Sequence, residues 1–229
     1  DVRAGFESFL NDLYARQDGQ TFFSLLWIAE TFASLADGSD DNPAKATEYF
    51  NKASSAYQSI LDKAQGNPDF LPNADQVHAV KLRMVKTLVR QRNFEPAEQA
   101  LLDVVRDKPD YSFVQFEAAQ FYQEWGAAGG TDPHQKLQTA LYGNAKDATP
   151  RIWGWQQTAQ TIQRTLRQKP DPQVESLLFD AQYAMAEAER ELGKVHPDLQ
   201  EGGRHLERAR SSITRFQRTS PRWSDEQFV

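Results

Sequence analysis

The chain has 229 residues, of which 39% are hydrophobic and 25% charged, and its formal net charge is −6. This is the composition of a folded globular protein, and it excludes a disordered or collagen-like chain. Because the chain contains no cysteine, disulfides, a thiol nucleophile and cysteine-ligated metals are excluded as well. The negative charge argues against a general nucleic-acid-binding protein. The longest apolar stretch, 22–29, is far shorter than the roughly 20 residues that span a membrane.

Apolar side chains recur every three or four residues along almost the whole chain, a spacing that predicts α-helices. A cap residue followed by proline, a common helix start, occurs at Asn42-Pro43, Asp132-Pro133, Thr149-Pro150 and Asp171-Pro172. With the glycine and proline stops, these signals predict about ten helices, near 6–14, 21–36, 43–65, 74–91, 95–106, 112–125, from 132, from 149, 171–192 and 199–216. Because no segment alternates with a period of two, we expect an all-α fold.

The helices are arranged as an internal repeat, clearest over residues 79–109. This unit reads Lys81-x2-Met84-Val85-x2-Leu88, then Phe94, Ala97-x3-Leu101-x2-Val104, then Pro109. The spacing resembles the tetratricopeptide repeat, in which an aromatic, a leucine-glycine pair and a tyrosine are followed by an alanine, an aromatic and a proline. The best-matching units are 21–64, 79–109 and 112–145, with weaker helices over 150–218 and a tail at 219–229.

The resemblance implies one repeat domain over residues 1–229, a right-handed α-α superhelix of stacked helical hairpins. Another kind of helical-hairpin array is the alternative. Small residues recur where two helices of a hairpin would cross, because a larger side chain would push them apart. These residues are Ala29, Ala53, Ala97, Ala119 and Ala140.

In tetratricopeptide proteins the first helix of each hairpin lines a concave groove, and basic groove residues commonly hold an acidic peptide or a C-terminal carboxylate. Arg83, Lys86 and Arg90 lie at i, i+3 and i+7 and so form one basic stripe, although only this repeat is basic. The expected partner-binding residues are Trp27, Glu30, Arg83, Lys86, Arg90, Phe116 and Gln120. The alternative is a solvated cationic face, or arginines paired with Glu117 and Glu124 on a neighbouring helix.

Other patterns have simpler structural interpretations. Residues 37–48 place acidic groups like a calcium loop, but Asn42 replaces the required glycine, so we expect a turn and a helix cap. Trp153 and Trp155 are expected to be packing anchors, with an aromatic ligand platform as the alternative. An arginine stripe within 204–218 is expected to be a solvated capping helix, with phosphate or an acidic partner as the alternative.

The four histidines are far apart in sequence, and none forms a metal-binding pair on one helix. We expect each at the surface or at a helix cap: His78, His134, His196 and His205. Nucleotide-binding and hydrolase motifs are absent from the sequence. We therefore expect no metal, no cofactor and no catalytic residue.

Together these patterns favour a non-catalytic interaction scaffold that binds a protein or peptide, with an acidic segment as one candidate. The alternatives are a structural segment of a larger multidomain protein, or an accessory protein that binds a ligand or glycan through tryptophans and carboxylates. We expect a soluble protein without a membrane span or a nucleic-acid partner, either cytoplasmic or exported after signal removal. The sequence leaves the compartment and the oligomeric state open.

Overall fold

The computed structural model describes residues 2–16 and 19–219, and within these ranges it contains α-helices and one short 3-10 helix but no strand. The α-helices are α1 (Val2–Ala15), α2 (Phe22–Asp37), α3 (Pro43–Gly66), α4 (Gln76–Arg90), α5 (Phe94–Asp107), α6 (Ser112–Ala127), α7 (Pro133–Tyr142), α8 (Gly154–Gln168), α9 (Pro172–Val195) and α10 (Leu199–Thr219). The 3-10 helix is Pro68–Phe70. The helices pack in consecutive pairs, as a helical-repeat solenoid requires, so the predicted all-α class is confirmed. The predicted tail, apart from Thr219, lies outside the described residues.

The chain divides into two compact units, Asp1–Val104 and Val105–Val229, with the boundary near the end of α5. Stacked hairpins contact mainly their neighbours, so a repeat array also divides into compact units. One repeat domain over the whole chain therefore stays a prediction.

In the first unit, α2 packs against α3 and α3 against α4. Ala29 and Ala53 are completely buried in this core, as expected of close helix crossings. Two side chains of α1 contact α3: Glu7 accepts hydrogen bonds from Lys45 and from Tyr49 Oη, the latter at 2.9 Å, and Asn11 accepts one from Lys52. These contacts attach α1 to the α2–α3 hairpin.

Local capping explains where the first hairpin begins and turns. The Thr21 and Ser24 side chains form a reciprocal capping box at the start of α2. Gly38 caps the end of α2, and the Asn42 side chain accepts from Lys45 N at 3.1 Å at the start of α3. The turn and cap predicted for residues 37–48 are therefore confirmed.

In the second unit, α6 pairs with α7 and α9 with α10, and α7 and α8 both contact α9. Ala119 and Ala140 are completely buried. A Cβ on Gly126 would lie 2.6 Å from the Leu137 side chain, and one on Gly193 would lie 2.9 Å from the Gly202 carbonyl oxygen. Small residues thus let both helix pairs approach closely.

The predicted start of α8 at Thr149-Pro150 is wrong, because α8 begins at Gly154. The preceding segment is held by the Asn144 side chain, whose Nδ2 donates to Pro150 O at 2.9 Å and whose Oδ1 accepts from Ile152 N at 2.8 Å. These bonds give the backbone the partners that a helix would otherwise have supplied.

Gln115 of α6 completes this arrangement from inside the core, where it is fully buried. Its Nε2 donates to Pro109 O at 2.8 Å and to Arg151 O at 3.0 Å, and its Oε1 accepts from Trp153 N at 2.9 Å. A single buried amide therefore supplies partners to three backbone groups.

Candidate binding groove

A groove of about 380 Å³ lies in the first unit between α2 and α4, with α3 beneath it. We call it the α2–α4 groove. Its lining comprises Glu30, Ala33, Ser34 and Asp37 of α2, Phe50 and Tyr57 of α3, and Arg83, Lys86, Thr87 and Arg90 of α4. Helices α2 and α4 both pack against α3, so the groove lies between two helices that share one neighbour.

Four of the seven expected partner-binding residues line this one groove: Glu30, Arg83, Lys86 and Arg90. Arg83 Nε donates to Glu30 Oε1 at 2.8 Å, and Arg90 Nε lies 3.8 Å from Asp37 Oδ1. Both pairs are substantially exposed, so each contributes on the order of 0–1 kcal/mol to stability. Weak pairs of this kind leave the charged groups available to a ligand.

The charge of the lining differs in sign from that of the chain. Three cations (Arg83, Lys86 and Arg90) against two carboxylates (Glu30 and Asp37) give the lining a formal charge of +1, whereas the chain carries −6. The side chains of Lys86 and Arg90 are exposed. The groove is thus a local cationic surface that can attract an acidic segment.

The floor of the groove is aromatic and neutral. Phe50 and Tyr57 are buried in the core below the charged rim. Burial raises the pKa of Tyr57 to about 12, with the Glu30 carboxylate adding to the rise and Arg83 opposing it. The phenol therefore keeps its proton at neutral pH and offers a hydroxyl donor under an apolar surface.

The other three expected residues lie outside this set. Trp27 is on α2 about one turn before Glu30, 45% exposed, and Phe23 on the same helical face is 67% exposed. Phe116 and Gln120 lie on α6 in the second unit. Phe116 packs edge-on against Trp155 with ring centroids 4.8 Å apart, and Gln120 donates to Glu124 Oε1 at 2.8 Å.

Three further tryptophans within the described residues are packing residues, as expected for Trp153 and Trp155. Trp125, Trp153 and Trp155 are all buried. Trp155 Nε1 donates to Gln123 Oε1 at 2.6 Å, and Lys136 Nζ lies 3.4 Å from the Trp125 ring centroid. These rings do not form an exposed aromatic platform.

The sequence predicted a surface or helix-cap position for each histidine, and this prediction is wrong for one of them. His196 caps the end of α9 as expected, but His205 is buried rather than at the surface. Ring centroids of His134 and His196 lie 4.7 Å apart, and those of His196 and His205 lie 5.6 Å apart. No sequence pattern predicts that these three histidines are neighbours, because they belong to three separate elements.

A carboxylate lies beside His205. Glu189 is buried on α9, where its carboxylate lies within hydrogen-bond distance of His205 Nδ1 and accepts from Arg208 Nε at 3.3 Å. Among the described residues, no group of three or more His, Asp or Glu side chains is arranged to hold a metal ion. None of the described helices is long and apolar enough to cross a membrane.

Comparisons of the chain with protein-family models, with curated proteins and with solved structures find no match.

Proposed function

We propose that this chain is a non-catalytic interaction module, built of tetratricopeptide-like hairpins, that binds an extended segment of a partner protein in the α2–α4 groove. The observation that carries the proposal is the convergence of Glu30, Arg83, Lys86 and Arg90 on one groove. They were predicted from the repeat pattern, and they line a concave surface between α2 and α4. A segment bound there would meet a rigid, pre-formed lining, which lowers the entropic cost of binding.

The lining favours an acidic segment with an apolar anchor. Lys86 and Arg90 supply exposed positive charge along α4. Along α2, the exposed rings of Phe23 and Trp27 continue the helical face that carries Glu30, and aromatic side chains of this kind commonly anchor a bound partner. A peptide that carries carboxylates and one large apolar side chain would therefore contact both the cations of α4 and the exposed rings of α2.

The test is fluorescence anisotropy with labelled acidic, neutral and basic peptides of equal length, each with or without one phenylalanine. We expect the acidic peptide with phenylalanine to bind most tightly, and its affinity to fall with added salt because the attraction is between exposed charges. The variant Lys86→Glu plus Arg90→Glu should weaken this binding at least about tenfold, since the steering charge is reversed.

A charge-matched control is Arg16→Glu plus Arg92→Glu, which changes the net charge equally at two exposed arginines of the first unit. Neither arginine is part of the groove lining. We expect the control to bind within about twofold of the wild type once long-range charge is screened by salt. Equal losses in the two variants, or no binding by any peptide of the panel, would contradict the proposal.

A further inference from the structure

Three histidines of the second unit form a compact group, the histidine cluster: His134, His196 and His205. His134 lies in the first turn of α7, His196 caps the end of α9, and His205 is in α10. The neighbouring rings are 4.7 and 5.6 Å apart, and His134 Nε2 is buried without a hydrogen-bond partner. The cluster therefore joins three helices through contacts between imidazole rings.

The charged and titratable groups around the cluster come from every helix that it joins. They are Asp132 and Tyr142 beside α7, Glu189 of α9, Asp198 of the α9–α10 turn, and Glu201, Arg204 and Arg208 of α10. Two of these groups are arginines, so the surroundings are not simply acidic.

Each nearby carboxylate already accepts from another group. Asp132 caps α7 through Gln135 N, and Asp198 accepts from two backbone N–H groups at the start of α10. Glu201 pairs with Arg204, and Glu189 is shared by His205 and Arg208. A proton on His205 would therefore be paired with Glu189, so the repulsion falls on the His134–His196 contact, where the carboxylates of Asp132 and Asp198 are bound to backbone N–H groups.

We propose that the histidine cluster is a proton-responsive contact that holds α7 against α9 and α10 at neutral pH and loosens when its rings become charged. Two imidazolium rings at these separations repel each other, and one buried ring would also lose its solvation. The cluster lies in the second unit, so the proposal does not depend on the α2–α4 groove.

The direction of the pH effect follows from His134. Burial lowers the pKa of His134, and the charges of His196 and His205 lower it further, against a smaller opposing effect of Asp132. The unfolded chain therefore binds a proton near its ordinary pKa of about 6.5, before the folded chain does. Stability is lost as pH falls below that value.

The test is hydrogen exchange of the full chain, read by mass spectrometry at about pH 7.5 and about pH 5.5 with chelator present and intrinsic rates corrected. We expect protection in residues 133–142 and 193–209 to fall more than about twofold on acidification, and more than elsewhere in the chain. In the variant His134→Gln plus His196→Gln, the fall should shrink to less than about twofold.

The matched control is His78→Gln, since His78 belongs to the first unit and not to the cluster, and its Nδ1 is 4.0 Å from Asp75. This variant should keep the full pH response of the second unit. An unchanged response in the double variant, or a lost response in the control, would overturn the proposal. Should the double variant fail to fold, NMR titration of the wild-type imidazoles decides: a His134 midpoint below the ordinary value supports the proposal, and independent ordinary midpoints overturn it.

Discussion

At the scale of single residues, Glu7 is the main polar attachment of α1. It accepts from Lys45 and Tyr49 of α3, and the hydrogen bond from Lys45 holds the pKa of this carboxyl below its ordinary value. A lowered folded-state pKa means that Glu7 stabilises the fold above its unfolded pKa of about 4.3, and that this contribution disappears as pH falls through the folded value.

We therefore predict that α1 loses hydrogen-exchange protection in acid before α2 and α3 do. Glu7→Gln should lower α1 protection at neutral pH and remove most of its acid dependence, because the neutral amide no longer titrates. Asp12→Asn, at an exposed position on the same helix, is the control and should change neither. The interpretation fails if Asp12→Asn reproduces the effect of Glu7→Gln.

Gln115 gives a second prediction at this scale. Gln115→Ala leaves Trp153 N and two carbonyl oxygens without their buried partner and opens a cavity, so it should cost about 2–4 kcal/mol of unfolding free energy. Gln120 lies on the same helix and is partly exposed. The substitution Gln120→Ala should therefore cost less than about 0.5 kcal/mol of unfolding free energy. Urea titration followed by tryptophan fluorescence measures both. Equal costs would show that the Gln115 bonds contribute little.

At the scale of elements, the connection between α7 and α8 depends on a close backbone contact. Gly143 has φ of +78°, and a Cβ there would lie 2.2 Å from Ile152 O. Gly129 has φ of +75° but open space around its Cβ position. The two glycines therefore share a positive φ and differ in packing.

Substitutions at these two positions compare a positive φ in open space with a positive φ beside a close backbone contact. Gly129→Ala should cost about 1–2 kcal/mol through the left-handed backbone alone. Gly143→Ala should cost at least about 2 kcal/mol more, because the backbone around Ile152 must also move. Thermal and urea unfolding of both variants provides the comparison, and similar costs would mean that the connection moves aside easily.

Element by element, the sequence predicted the helices well wherever the signal was local. Asn42 and Asp171 cap their helices as expected, because a cap and its proline are adjacent in sequence. The start of α8 was not predictable in this way. The segment before it is held partly by Gln115, more than thirty residues away, which no local pattern reveals.

The same distinction applies to the candidate site. The repeat spacing identified Arg83, Lys86 and Arg90 because they are periodic on one helix, but it could not identify Glu30 and Asp37 as the acids facing them. The sequence could not predict the histidine cluster, because helix packing alone brings His134, His196 and His205 together.

At the scale of the whole molecule, a chain with net charge −6 carries a cationic groove in its first unit and a titratable histidine cluster in its second. Each unit is built from helices packed in consecutive pairs. Such packing gives an all-α fold, and the surfaces of a fold, rather than its class, determine what a protein binds. The proposed function therefore depends most on whether the α2–α4 groove is the surface that binds a partner.

An NMR titration of the full, isotope-labelled chain with the tightest acidic peptide tests this most directly. If the groove binds the peptide, we expect saturable changes in backbone chemical shift concentrated at residues 27–37 and 83–90, with the second unit nearly unchanged. The same shifts should be absent from Lys86→Glu plus Arg90→Glu and present in Arg16→Glu plus Arg92→Glu. Saturable shifts that map instead to α6–α10, or that persist after reversal of the groove charges, would contradict it.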